Sequence, residues 1–257
     1  MADYDPYNSL VPIFRETRIP RKVEQIATAV FISHPFGYFL FTAAHVTDDM
    51  ETETLFVPAG GQITEINGYV GHIDLLPGSR REDDNIDIAY IKIPQDFIPL
   101  LRKHFVPLEG NNSELIKSAL DLTVCSVSGY PSKKGKKKQN VFSSEIFSFT
   151  GTVAQQETYD ELSLSPEQNI IIHYNRKKTI DPGVGEIRTS PHPKGVSGGG
   201  IFAWPRESIG MPDWSEKKLV GLFHTYKERE GLLIGTTLLP FLAAIQLGNM
   251  KKFDGVI

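Results

Sequence analysis

Cysteine is nearly absent from this chain of 257 residues: Cys125 stands alone. No internal disulfide can form, and the count fits a reducing, cytoplasmic compartment. A single thiol also excludes a cysteine-based zinc cluster. The seven histidines contain no His-Glu-x-x-His pair, so neither a metal nor a cofactor is expected. An excess of positive charge is missing too. Lys plus Arg number 27 against 31 Asp plus Glu, a formal net charge of −4, which argues against a nucleic-acid partner. The opening stretch MADYDPYNSLVPIFRETRIP lacks the basic-then-apolar order of a secretory leader. Long unbroken hydrophobic runs are lacking as well. Ala27 to Val46 (ATAVFISHPFGYFLFTAAHV) carries no Asp, Glu, Lys or Arg, but Ser33, His34, Pro35 and Gly37 interrupt it. Pro35-Phe36-Gly37 reads as a turn joining two strands, not the middle of a membrane span. There is no fixed-period repeat. The one low-complexity tract, SKKGKKKQN from Ser132 to Asn140, is expected to be a solvated loop.

Against these absences stands enough apolar material for a sizeable core, with 40% hydrophobic and 23% charged residues. It is arranged in short segments rich in Val, Ile, Phe, Thr and Tyr: Ile26 to Ile32, Tyr38 to Thr42, Leu55 to Pro58, Ile63 to Ile73 and Ile86 to Ile93. Gly, Pro and Asp clusters separate them. A second set runs through Leu120 to Tyr130, Val141 to Val153, Asn169 to Tyr174, Gly200 to Trp204, Leu219 to Tyr226 and Leu232 to Thr237. Pro240 to Leu247 then reads as a closing helix, with proline at its first turn. Residues 1–20 look like a weakly patterned arm. The pattern predicts an all-β protein of two groups of roughly six strands, sandwich or barrel, with a C-terminal helix.

Three segments carry chemistry. Thr42-Ala43-Ala44-His45-Val46 ends an apolar strand, Asp87-Ile88-Ala89-Tyr90-Ile91-Lys92-Ile93 opens an alternating one, and Gly195-Val196-Ser197-Gly198-Gly199-Gly200 sets a serine in a glycine-rich turn. A serine hydroxyl is a poor nucleophile unless a base near neutrality takes its proton, and histidine supplies one. The imidazolium so formed needs a buried carboxylate, and the tetrahedral oxyanion needs preorganised donors. His45, Asp87 and Ser197, with the amides of Gly195 and Ser197, would supply every part. Each segment alone has a plainer meaning: a core histidine, a turn acid with Asp83 and Asp84 as rivals, a flexible loop or phosphate cradle. The P-loop alternative fails because no Lys-Ser/Thr follows. The Gly-x-Ser-x-Gly elbow of α/β-hydrolases fails on chain order, since the only histidine after Ser197 is His224, too soon for the remaining strands and helices. A subtilisin-like order lacks a suitable acid upstream of His45. The order His45, Asp87, Ser197 is that of chymotrypsin.

On these motifs the chain resembles the trypsin-like (chymotrypsin-fold) serine proteases, especially disulfide-free bacterial members. Phe41-Thr42-Ala43-Ala44-His45, Asp87-Ile88-Ala89-Tyr90-Ile91-Lys92 and Gly195-Val196-Ser197-Gly198-Gly199 are similar to the family's three motifs. Val127-Ser128-Gly129-Tyr130-Pro131 is similar to the segment opening the second barrel. Leu219-Val220-Gly221-Leu222 resembles the strand beside the substrate. The resemblance spans roughly residues 23 to 248 and implies two six-stranded antiparallel β-barrels, about 21–115 and 118–238, then a helix at about 239–248, with the triad in the cleft between them. It implies a serine endopeptidase acting on protein or peptide substrates through an acyl-enzyme. A catalytically silent scaffold or binding module on the same fold is the alternative. Val196 stands where family zymogens place an acid that pairs with a new N-terminus, so control by a protein partner is expected instead. Val46 and Pro193 occupy positions often taken by disulfide cysteines. Pro191 stands where trypsin-like enzymes keep a pocket acid, so no preference for Lys or Arg is implied. Pocket walls are expected from Pro191, His192, His224, Thr225 and Tyr226. The loop-like stretch Tyr174 to Lys194 would flank that pocket.

Overall fold

A computed structural model describes residues 5–17, 22–48, 50, 53–66, 68–72, 75, 78–132, 136–138, 141–143, 145–180, 187–205, 216–247 and 250–253. The N-terminal half contains β1 (Leu10–Glu16), β2 (Val23–His34), β3 (Gly37–Thr42), α1 (Ala44–Thr47), β4 (Leu55–Ala59), β5 (Gln62–Glu65), β6 (Gly68–His72), β7 (Ala89–Lys92) and α2 (Ile98–Leu101). The C-terminal half contains β8 (Val124–Gly129), β9 (Lys136–Lys138), β10 (Val141–Ser143), β11 (Phe147–Val153), α3 (Gln156–Leu162), β12 (Asn169–His173), β13 (Thr179–Ile180), β14 (Ile187–Arg188), β15 (Gly200–Ala203), β16 (Lys218–Lys227), β17 (Leu232–Thr237), α4 (Leu238–Leu247) and β18 (Met250–Phe253).

The C-terminal half closes as the expected six-stranded barrel, in the order β11-β12-β17-β16-β15-β8. The N-terminal half departs from six strands. It is a curled eight-stranded sheet, β18-β6-β7-β3-β2-β1-β4-β5, in which β18 returns from beyond α4 to pair with β6. The expected N-terminal arm is likewise corrected, because Leu10–Glu16 is a buried strand between β2 and β4. Pro12 disguises it. This proline lies where β1 has a ladder partner on one side only, since its pairing with β4 is confined to Phe14 and Arg15. A missing N–H is tolerated at such a position. The lysine run contributes β9, paired with β10, so part of it is ribbon; residues 133–135 and 139–140 of the run lie outside the described residues. So do residues 181–186 of the Tyr174 to Lys194 stretch.

Side chains sort into three buried clusters, which explains why β2 and β3 read as continuous apolar runs. Ala27, Ala29 and Phe31 of β2, with Leu40 of β3, face the N-terminal core. Their neighbours Val30, Ile32, Phe39 and Phe41 face a second cluster at the seam, together with Tyr90, Tyr130, Phe202, Leu222 and Phe241. A strand covered on both faces has no use for alternation. The seam is also where α4 docks: Phe41 and Phe241 stack with centroids 4.9 Å apart, and the Tyr90 hydroxyl donates to the Ala244 carbonyl at 3.1 Å. The third cluster fills the closed barrel and includes Val196. Among the described residues no helix is long and apolar enough to cross a membrane.

Candidate active site

Helix α1 begins without a capping side chain of its own, because Ala43 occupies the N-cap. Its first free amides are satisfied from β7's approach. Ala44 N–H donates to the Asp87 carbonyl at 3.2 Å, and His45 N–H to Asp87 Oδ1 at 2.9 Å. The other carboxylate oxygen, Oδ2, lies 2.6 Å from His45 Nδ1. Asp87 thus fixes His45 twice, by backbone and by ring. It does so from a left-handed backbone conformation, φ +35°, which Asp tolerates better than most side chains. With a carboxylate on Nδ1, that nitrogen carries the proton, and Nε2 offers its lone pair to the cleft.

Burial alone would push the Asp87 carboxyl up. The His45 ring, the nearby His224 and the His45 amide outweigh it, and hold this carboxyl below the ordinary carboxylate range. Asp83 and Asp84, the rival acids in the sequence, are engaged elsewhere. Asp83 accepts from Arg80 at 3.1 Å; Asp84 binds Arg81 at 2.6 Å and the Ile86 amide at 3.0 Å. They brace the loop that delivers Asp87.

Ser197 sits in a turn built on the main chain. Glycine is required at two points. At Gly195, φ +91°, an added Cβ would lie 2.7 Å from Ser132 N; at Gly198, φ +81°, it would lie 2.2 Å from both Thr28 O and Thr42 Oγ1. Gly198 therefore packs directly against Thr42, the residue that leads into His45. The amides of the turn divide into two kinds. Val196 N–H donates to Pro193 O at 2.9 Å, Gly198 N–H to Phe223 O at 2.7 Å and Gly199 N–H to Val196 O at 2.7 Å. The amides of Gly195 and Ser197 have no acceptor among the described residues. The Lys194 carbonyl is turned toward Ser132, whose N–H and hydroxyl donate to it at 2.8 and 3.1 Å. In a trans peptide the Gly195 N–H therefore points the opposite way. Two free donors, the serine's own amide and that of the residue two before it, can receive a developing oxyanion.

The turn is tied to the other half by Thr28, a fully buried residue of β2 that the sequence did not single out. Its amide donates to Ser197 O at 2.9 Å and its hydroxyl to Gly195 O at 3.1 Å, while the same hydroxyl accepts from Tyr130 N–H at 2.9 Å. Threonine between two alanines in an apolar run gives no local hint of this; the contact exists only once the two halves meet. Ser132 was equally hidden, at the edge of a lysine-rich tract.

Ser197 Oγ lies 3.5 Å from the carbonyl oxygen of His224, and among the described residues no hydrogen bond joins it to His45 Nε2. His224, expected as a pocket wall, brings its carbonyl to Ser197 and buries its ring. It is the extra residue of a β-bulge between Phe223 and Thr225, and only 8% of the residue is exposed. Nδ1 is 2.9 Å from Thr225 Oγ1, and Nε2 is buried with no hydrogen-bond partner among the described residues. Burial pushes this imidazole down to about 4, against the pull of Asp87. It is neutral near pH 7 and cannot offer charge to a substrate. Of the other pocket residues, Pro191 and His192 lead toward the serine turn. His192 meets Tyr226 edge to face, with centroids 5.4 Å apart, and Thr225 holds His224.

Neither a protein-family model nor a characterised protein matches the sequence. The structure does find counterparts. The mouse-brain serine protease neuropsin superposes with a TM-score of 0.55 at 14% identity, over 95% of this chain and 96% of its own. The protease Anisep of Arthrobacter nicotinovorans gives 0.55 at 11% identity, over 96% and 98%. The Vibrio cholerae protease VesB gives 0.56 at 13% identity, covering 93% of this chain and 63% of its own. At such identities the likeness establishes the fold, which is that of the chymotrypsin-like proteases.

Proposed function

We propose that the chain is a serine endopeptidase. Ser197 Oγ attacks the scissile carbonyl carbon as His45 Nε2 takes its proton. The oxyanion sits on the amides of Gly195 and Ser197, and collapse expels the amine, which takes the proton back from His45. Water then repeats the sequence and frees the acyl group. Asp87 holds the His45 tautomer and stabilises its cation. The observation that carries this proposal is the 2.6 Å contact between His45 Nδ1 and Asp87 Oδ2, because it occupies Nδ1 and leaves Nε2 as the free base of the imidazole. The two unoccupied amides supply the second half of the machinery.

Reaction with a fluorophosphonate probe tests it. Mass spectrometry should find the label on Ser197, and Ser197→Ala should lose both label and proteolysis while melting at the wild-type temperature. An unlabelled wild type, or an alanine variant that still cleaves at the wild-type rate, would sink the proposal.

A further inference from the structure

Two segments of backbone meet at one junction beside Ser197. Phe223 N–H donates to Gly199 O at 2.8 Å and Gly198 N–H to Phe223 O at 2.7 Å, so the serine turn and β16 are stitched together there. Residues 191–195 lead into this junction on one side and residues 224–228 leave it on the other. On the protease reading proposed above, a substrate carbonyl held on the Gly195 and Ser197 amides would set the side chain of its own residue into the gap between these segments, where the resemblance expects the pocket walls.

That gap is spanned. The rings of His192 and Tyr226 meet edge to face across it, at an interplanar angle of 80°. His192 is fixed from its own backbone, because Nδ1 accepts the Lys194 N–H at 3.1 Å. The ring proton is then on Nε2, which faces Glu228 Oε2 at 3.8 Å. Glu228 in turn pairs with Arg176 at 3.2 Å, and the Arg176 guanidinium meets the Tyr226 hydroxyl. Four side chains from three segments close a ring: His192, Tyr226, Arg176 and Glu228. Three of them also wall a cavity of about 510 Å³ with Tyr174 and Lys177, so the Tyr226 ring is common to gap and cavity.

We propose that this clasp makes the enzyme selective for a small residue, glycine, alanine or serine, on the acyl side of the cleaved bond; the inference rests on the protease activity proposed above. An acidic residue is not favoured there, since Glu228 already faces His192 and the neutral His224 ring is buried with Asp87.

The test compares kcat/KM on a peptide series that varies only that residue through Gly, Ala, Ser, Leu, Phe, Glu and Lys. Wild type should prefer alanine over leucine, phenylalanine, glutamate and lysine by about 10-fold or more, the scale on which one pocket contact discriminates. Tyr226→Gly should raise the phenylalanine-to-alanine ratio by about 10-fold or more. If that variant does not fold, His192→Ser should move the ratio the same way. Equal or better cleavage after glutamate or phenylalanine by wild type, or a ratio unmoved in a folded variant, would overturn the inference while leaving the protease proposal standing. Absence of both Ser197 labelling and turnover across the whole series would instead overturn the protease proposal, and the selectivity with it.

Discussion

The two halves of the molecule hold their parts of the site by opposite means. In the N-terminal half, the open sheet presents His45 through a side chain: one buried carboxylate grips a backbone amide and a ring nitrogen together. In the C-terminal half, the closed barrel presents Ser197 through main chain: glycines set the angles, three amides of the turn are consumed and two have no acceptor among the described residues. A proton relay needs groups of particular chemistry, which only side chains supply. An oxyanion needs donors aimed at a point, which backbone supplies best when no Cβ intervenes. The halves therefore differ in what a substitution can damage, chemistry on one side and shape on the other.

Asp87→Asn should separate these two kinds of damage most sharply. An amide keeps the volume but favours the wrong His45 tautomer, so acylation should slow by about 10⁴-fold with the fold intact. A stopped-flow burst within 10-fold of wild type would show that the N-terminal half does not work through this pair.

The acid side of the stability curve comes next. His224 is neutral in the fold down to about 4, whereas in the unfolded chain it takes up a proton near 6.5. Stability is then fully present above the upper value and declines as pH falls toward the lower one, by roughly 3 kcal/mol. The lowered Asp87 carboxyl extends the loss to still more acid conditions. Thermal melts of wild type and His224→Phe from pH 7 to pH 4 should diverge steadily. Parallel curves would place no buried histidine charge in the comparison.

Thr28→Val probes the tie between the halves and should have the smallest effect. The methyl group preserves packing but strands the Tyr130 amide and drops the bond to Gly195 O, a cost of about 1–3 kcal/mol. Urea midpoints should fall accordingly, and acylation should slow because the turn loses one of the two bonds Thr28 makes to it. An unchanged midpoint would mean that the barrel holds the turn unaided.

Much of the site was legible because its chemistry is local. A histidine closing an apolar strand, an acid opening another and a serine among glycines each declare themselves within six residues of sequence. Strand positions were legible for the same reason, wherever turn residues flanked β-branched runs. What stayed hidden depends on register. Thr28 matters because of which strand faces it, and β1 was masked by a proline that only its one-sided pairing excuses. The burial of the His224 ring was not legible either, because strand alternation says nothing of a bulge, and one inserted residue re-aims a side chain. The eighth strand of the sheet, β18, pairs with residues far back in the chain and has no local mark at all.

Val196 has a consequence of its own. Its side chain is wholly buried in the barrel core, immediately before the serine. A turn held by an ion pair to a freshly cut ammonium group can be withheld until maturation, and fails again once that amine deprotonates. A hydrocarbon anchor has neither trigger. The turn around Ser197 is anchored by burial of this hydrocarbon side chain, which carries no charge for a cut chain end or a change of pH to act on.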